Sequence, residues 1–265
     1  MSNINKTSNV ERQYSDDANL AARIKLHAKH STNKQGFSNW LWTHYNFFEN
    51  CNILELGCGN GEQWKTRAGT LPHGCKVILS DFSDGMVNSA REKYTKWDLF
   101  SFQQIDIQDI PFGNDTFDIV IANHMLYHVP NLSKALSEVK RVLKAGGTFY
   151  SSTTSNGGLQ PFLHEAFKHF DPDTNAFTQR FSFTLQNGYE HLIEYFHEVR
   201  RVDYEDSLSV TDTQDLIDWI KSNITLESYS SEENLDDLFD YFEDIRKREG
   251  AINIPKKSGL FISKK

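Results

Sequence analysis

The chain has 265 residues, enough for one α/β domain with additional helices or one domain plus a small cap. Hydrophobic residues make up 38%, which allows a sizeable core and excludes a disordered chain. A net charge of −8 argues against a nucleic-acid partner, which calls for a basic face to replace phosphate counterions.

Cys51, Cys58 and Cys75 match no zinc spacing, and their odd number fits a reducing cytoplasm rather than a disulfide framework. Residues 1–17 are polar and lack the apolar core of a secretion signal. No apolar stretch reaches the length of a membrane span.

In chain order, residues 1–15 read as a polar tail. Residues 16–30 place Ala18, Leu20, Ala21, Ile24 and Leu26 at helical spacing. Residues 35–48 read as a second helical stretch, rich in aromatics. Residues 52–56 are a short apolar strand that runs into a glycine-rich turn opening a helix. Residues 76–80 are a second strand, ending at Asp81. Residues 83–96 are helical, with Ser83 as N-cap. Residues 102–107 are a third strand, with Asp106 at its end. Residues 117–122 are a fourth, apolar enough to be buried on both faces. Residues 132–143 form a helix that Gly146-Gly147 closes, and residues 148–153 a fifth strand.

This alternation predicts an α/β fold with a doubly wound, mostly parallel sheet. Its strand C-termini share one edge, where ligands bind. Beyond it, residues 161–170 and 185–196 read as helices and 199–210 as a strand. Residues 213–221 and the acidic 232–249 read as helices, and the last strand falls within 251–264. The expected organisation is an N-terminal helical cap over residues 1–50 and one domain over 51–265. A lid is expected at about 156–185 and a helical insertion at about 211–250, serving as a cap or a homodimer surface.

The turn reads Glu55-Leu56-Gly57-Cys58-Gly59-Asn60-Gly61. Glycines there let the chain turn sharply and bring its backbone against a ligand. The spacing G-x-G-x-G is shorter than the dinucleotide fingerprint. Glu55 repels phosphate and attracts an ammonium group, so the ligand has an amino-acid end and no pyrophosphate. S-adenosylmethionine fits both conditions. Asp81 stands where a carboxylate accepts hydrogen bonds from ribose hydroxyls, although a charge before a helix can also serve the helix N-terminus. Asp106 stands where an acid can accept a bond from an adenine amino group, with Ile107 covering the ring.

The runs ILELGCGNG, SDFSDGM, DIQDIPFGNDTFDIVIANHMLYHV and EVKRVLKAGG together resemble class I S-adenosylmethionine-dependent methyltransferases. They are closest in style to the methyltransferase type 11 group that includes ubiquinone and menaquinone enzymes. The resemblance spans about residues 50–155 and implies a Rossmann-like fold, the cofactor and its product S-adenosylhomocysteine, with no metal. It implies that Gly57, Cys58 and Gly59 contact the methionine end, with Glu55 near its amino group. Phe82 and Met86 then lie near the adenosine, and Asn123 offers its carbonyl to the methionine amino group. The family's last two strands form a close hairpin, whereas here a long segment separates Val210 from Ile252.

His124 and His128, after the fourth strand, are the candidate acid–base residues, with structural hydrogen bonding as the alternative for each. The Asn-His-Met-Leu segment lacks the Asn/Asp-Pro-Pro-Tyr run of enzymes that methylate exocyclic amines. A small-molecule acceptor is the leading expectation. An RNA or protein methyltransferase and a non-catalytic cofactor-binding protein are the alternatives.

Overall fold

A computed structural model of the protein describes residues 17–178, 180–222 and 232–265. The polar tail expected over residues 1–15 lies outside them. Seven strands form one sheet: β1 (Asn52–Leu56), β2 (Lys76–Asp81), β3 (Phe100–Gln104), β4 (Phe117–Asn123), β5 (Leu143–Thr154), β6 (Glu198–Val210) and β7 (Ile252–Lys264). Their order is β3-β2-β1-β4-β5-β7-β6. The first five run parallel, and β7 is antiparallel to both β5 and β6. This is the Rossmann-like, mostly parallel sheet expected from the sequence.

Helices cover both faces: α1 (Asp17–His30), α2 (Phe37–Trp42), α3 (Asp84–Tyr94), α4 (Leu132–Val142), α5 (Leu159–Lys168), α6 (Gly188–Ile193), α7 (Thr213–Lys221) and α8 (Glu232–Glu249). Strand side chains alternate between faces. Leu54, Leu56, Val120, Ala122 and Phe149 therefore pack toward α4, in one core. Ile53, Val77, Leu79, Ile121 and Tyr150 join Trp64 and Tyr94 in the other. A third core joins α1, α5, α7 and α8 to the long β6–β7 ribbon through Leu26, Phe167, Leu208, Leu216, Phe242 and Ile252. The 43–50 region contributes aromatic packing rather than a helix.

Several boundaries differ from expectation for identifiable reasons. The helix expected over 35–48 ends at Trp42, where the Thr43 hydroxyl donates to the Trp40 carbonyl. Trp42 and Tyr45 then pack edge-on, Trp42 against Trp64 and Tyr45 against Tyr150. The third strand is Phe100–Gln104, not 102–107, because its pairing with β2 ends where β2 ends. Asp106 thus stands two residues beyond the strand, closing a turn through the Gln108 amide at 2.8 Å. Gly146-Gly147 do not close α4. That helix passes directly into β5 at Leu143, and the glycines accommodate a register shift against β4. A Cβ on Gly147 would lie 2.8 Å from the Lys144 carbonyl. The helix expected over 185–196 shortens to α6, pressed so close to the sheet that a Cβ on Gly188 would meet the Phe261 ring at 2.5 Å. Ser83 caps α3 as expected, its hydroxyl accepting from the Met86 amide.

Two consequences place the site. The C-terminal ends of β1, β2 and β4 lie side by side, in register from Asn52↔Lys76 and Ile53↔Ile119 onward. Helix α1 is bound to α7 above that edge. Asp215, fully buried, meets Lys25 and Lys29 at 2.7 Å and His30 Nε2 at 2.8 Å. Arg23 donates to the Ser222 carbonyl at 2.7 Å.

Candidate functional site

The turn after β1 leads not into an α-helix but into one 3-10 turn, Glu62–Trp64. Gly57, Gly59 and Gly61 all have φ between +56° and +74°, a region that excludes most side chains. The three are not equivalent. A Cβ on Gly57 would strike Met125 at 2.9 Å, and one on Gly61 would strike the Tyr94 ring at 2.7 Å. A Cβ on Gly59 would meet nothing within 4 Å. The middle glycine therefore faces open space, which belongs to a cavity of about 1620 Å³ along the strand edge.

Glu55 lines the deep end of that cavity and is 2% exposed. Its carboxylate accepts from Trp64 Nε1 at 2.5 Å. Burial lifts its pKa to about 7, with the bonds from Trp64 and Asn123 pulling the other way. Asp81, at the end of β2, holds two backbone amides at once. Oδ2 accepts from Gly59 and Oδ1 from Ser83, each at 2.9 Å. Burial raises its pKa against the pull of those amides. The carboxylate thus ties the glycine turn to the start of α3.

Phe82, Asp106 and Ile107 line the cavity beside Asp81. Cys58 lines it too, its amide donating to the Ser80 carbonyl at 2.8 Å. Met86 is 2% exposed and stands off the cavity wall, packed within the fold. The Asn123 side chain donates to the Tyr45 hydroxyl and to Gln63 Oε1, both at 2.9 Å. Tyr45, Gln63 and Trp64 therefore position two of the residues expected from sequence. Nothing in their spacing announced this, because each acts through a contact with another segment.

His124 and His128 both line the cavity. His124 has φ +50°, its amide donates to the Ser152 carbonyl at 3.0 Å, and its ring lies 4.9 Å from that of Phe37. Burial lowers both histidines to about 4, helped by the charge of Lys256 at His124 and of Arg23 at His128. Both are neutral imidazoles near pH 7. Farther out, α1, the 154–161 segment, Phe177, Thr178, Arg180, Phe181 and Lys256-Lys257 of β7 close the cavity. His164 lines it, with Nδ1 bonded to the Ala176 carbonyl. Among the described residues, no group of three or more His, Cys, Asp or Glu side chains could hold a metal ion. No helix among them is long and apolar enough to cross a membrane.

Residues 54–151 match the family described as "Methyltransferase domain". The chain is 37% identical over 95 residues to a demethylmenaquinone methyltransferase of Clavibacter sepedonicus, covering 36% of this chain and 38% of that protein. It is 33% identical over 154 residues to the ubiquinone/menaquinone biosynthesis C-methyltransferase UbiE of Rickettsia typhi, covering 55% of this chain and 60% of that one. The chain thus spans less than two thirds of either relative. Among solved structures, the YcgJ protein of Bacillus subtilis is similar with a TM-score of 0.59 at 18% identity, over 86% of this chain and 97% of that one. The [4+2]-cyclase SpnF is similar with a TM-score of 0.61 at 13% identity, over 97% and 96%. At such identities the structures share a fold, and a fold hosts more than one chemistry. The ordered motifs, the strand-edge cavity and the sequence relatives agree: over residues 54–151 the chain carries a class I S-adenosylmethionine-dependent methyltransferase domain related to the ubiquinone/menaquinone group.

Proposed function

We propose that this chain transfers a methyl group from S-adenosylmethionine to an O, N, S or C atom of a small-molecule acceptor. One observation carries the reading. Along a single cavity, a buried carboxylate (Glu55), an open glycine cradle (Gly59), a carboxylate tied to the turn (Asp81) and an acid with an apolar neighbour (Asp106, Ile107) follow in order. Glu55 suits the ammonium of the cofactor's amino-acid end. The backbone of Gly57, Cys58 and Gly59 lets that end approach closely. Asp81 suits the ribose hydroxyls, with Phe82 beside the adenosine, and Asp106 with Ile107 suits the adenine. Asn123, its side chain held by Tyr45 and Gln63, offers its backbone carbonyl to the amino group. Met86, off the wall, has no place in this reading.

When bound, the cofactor supplies a methyl group already activated by the sulfonium charge. The protein's task is then mainly orientation, which is worth about 7–11 kcal/mol in favourable systems. A base is needed only where the acceptor must lose a proton; neutral His124 and His128 are the candidates on the wall, each a weak base at a pKa of about 4. In this reading α1, the lid over about 156–185 and the α7–α8 insertion cover the acceptor end. The three free thiols suit the cytoplasm.

Calorimetry with S-adenosylmethionine and S-adenosylhomocysteine tests the cofactor. Heat with neither ligand ends the proposal. Transfer of a labelled methyl group across a metabolite panel then tests the reaction. Cofactor binding without transfer to any acceptor favours a non-catalytic binding protein instead.

A further inference from the structure

The two ends of the cavity differ in charge. All four carboxylates on its wall belong to the cofactor end: Glu55, Glu62, Asp81 and Asp106. The other end presents Arg23, Lys34, Arg180, Lys256 and Lys257, with no carboxylate on the wall among the described residues. In a chain of net charge −8, this concentration of cations runs against the average composition. Four segments supply it: α1, the turn after α1, the stretch around Arg180, and β7.

Part of that charge is balanced from behind. Lys256 Nζ lies 2.6 Å from Oδ2 of Asp206, a wholly buried carboxylate that also accepts from Ser31. Lys34, Arg180 and Lys257 are exposed toward the opening, and none forms an ion pair with a described carboxylate. The charge is felt locally. Burial first and the charge of Lys256 second lower His27 to about 3, and the same two causes act on His124. His27 and His124 therefore stay neutral and leave the field to the lysines and arginines.

Between the charged rim and the strand edge the wall is aromatic. Tyr127 and Phe181 have ring centroids 4.6 Å apart, and Phe177 stacks on Trp219 at 6.1 Å. Phe37 closes the side next to His124. A cationic acceptor would meet like charges here. A neutral acceptor would leave the cations without a function in binding.

We propose that the acceptor is an anionic amphiphile. Its apolar body sits among Phe37, Tyr127, Phe177 and Phe181, and its carboxylate or phosphate headgroup is held at the Lys34–Arg180–Lys257 rim. The assignment rests on the methyl-transfer reading for the word acceptor, but the anion site itself does not depend on the cofactor.

The test uses octanoate, octyl phosphate, octan-1-ol and octyltrimethylammonium, each below its micellar concentration. They are titrated into the full chain with and without S-adenosylhomocysteine. At least one anion binds about tenfold more tightly than the alcohol, the ammonium ion binds weakest, and added salt erodes the preference. The two anions distinguish a carboxylate from a phosphate headgroup. The triple variant Lys34→Gln, Arg180→Gln, Lys257→Gln changes exposed side chains, so its fold should persist. It loses on the order of tenfold or more in anion affinity, with alcohol binding unchanged. Equal binding of alcohol and anion, or an anion affinity untouched in the triple variant, overturns the proposal. If S-adenosylhomocysteine gives no heat while the anion preference holds, the methyl-transfer reading falls and the anion site stands. If it binds and no anion preference exists, the reverse follows.

Discussion

Replacing Glu55 with glutamine isolates the charge at the deep end of the cavity, because the amide keeps the shape and can still accept from Trp64. In the native protein burial moves this carboxyl from its ordinary 4.5 to about 7. At about 1.4 kcal/mol per pH unit, ionising it in the empty site costs roughly 3 kcal/mol. The folded value is raised, so the associated stability is complete below 4.5 and lost as pH rises through about 7. Glu55→Gln cannot ionise. The empty variant should therefore be more stable than the native protein above about pH 7, by up to roughly 3 kcal/mol, with the difference vanishing toward acid. Ligand binding has the opposite sign. An ammonium group needs the carboxylate, so below about pH 7 binding must first expel a proton. Affinity for S-adenosylhomocysteine should fall up to tenfold per pH unit, or about a hundredfold by roughly pH 5. Calorimetry in two buffers of different ionisation enthalpy counts the proton released, and denaturant titration at the same pH values measures stability. Glu55→Gln should bind more weakly near neutrality and show no such slope. A flat native profile, an equal slope in the variant, or a variant less stable at alkaline pH would refute the assignment.

The other expectations separate binding from folding. Gly59→Ala places a methyl group in open cavity space at φ +56°. It should cost about 1–2 kcal/mol of stability while sharply reducing S-adenosylhomocysteine affinity by calorimetry. Gly61→Ala meets both φ +74° and the Tyr94 ring, so thermal melting should show the larger loss, about 2–4 kcal/mol. Asp81→Ala should weaken the same ligand by about 1.5–3 kcal/mol for each charge-assisted bond lost, and unchanged affinity would remove Asp81 from the ribose. Asp215→Ala tests the attachment of α1. Burial would raise this carboxyl, but Lys25, Lys29 and His30 outweigh it and hold it well below the usual range. Its contribution is therefore present above 3.8 and lost as pH falls further. Leaving buried His30 without its partner should cost about 1–3 kcal/mol, and hydrogen exchange should rise in α1 while β1, β2 and β4 stay protected.

The elements readable from sequence are those whose pattern is local. Residues 52–56 and 117–122 are uninterrupted apolar runs, as a strand buried on both faces requires, and both became strands at nearly those limits. Ser83 became the N-cap because a cap needs only residues three apart in the chain. Boundaries failed where a distant partner decides them. The end of β3 is set by the length of β2, and Gly146-Gly147 bend a strand rather than end a helix.

The site divides the same way. The glycine turn, Glu55 and Asp81 announce themselves, because a sharp turn at a strand end and a carboxylate after the next strand need no third segment. Met86 could not be placed from its spacing, since a helix methionine reads alike whether it faces a core or a ligand. By itself the amino-acid sequence determined the sheet, the motif order and the cofactor-binding edge, all products of short-range pattern. Only the tertiary structure decided that Trp64, Tyr45 and Gln63 hold Glu55 and Asn123 in place. It alone gathered Arg23, Lys34, Arg180, Lys256 and Lys257 onto one wall. Charges from four separate segments share a cavity only after the chain has folded, and no spacing along the chain encodes that meeting.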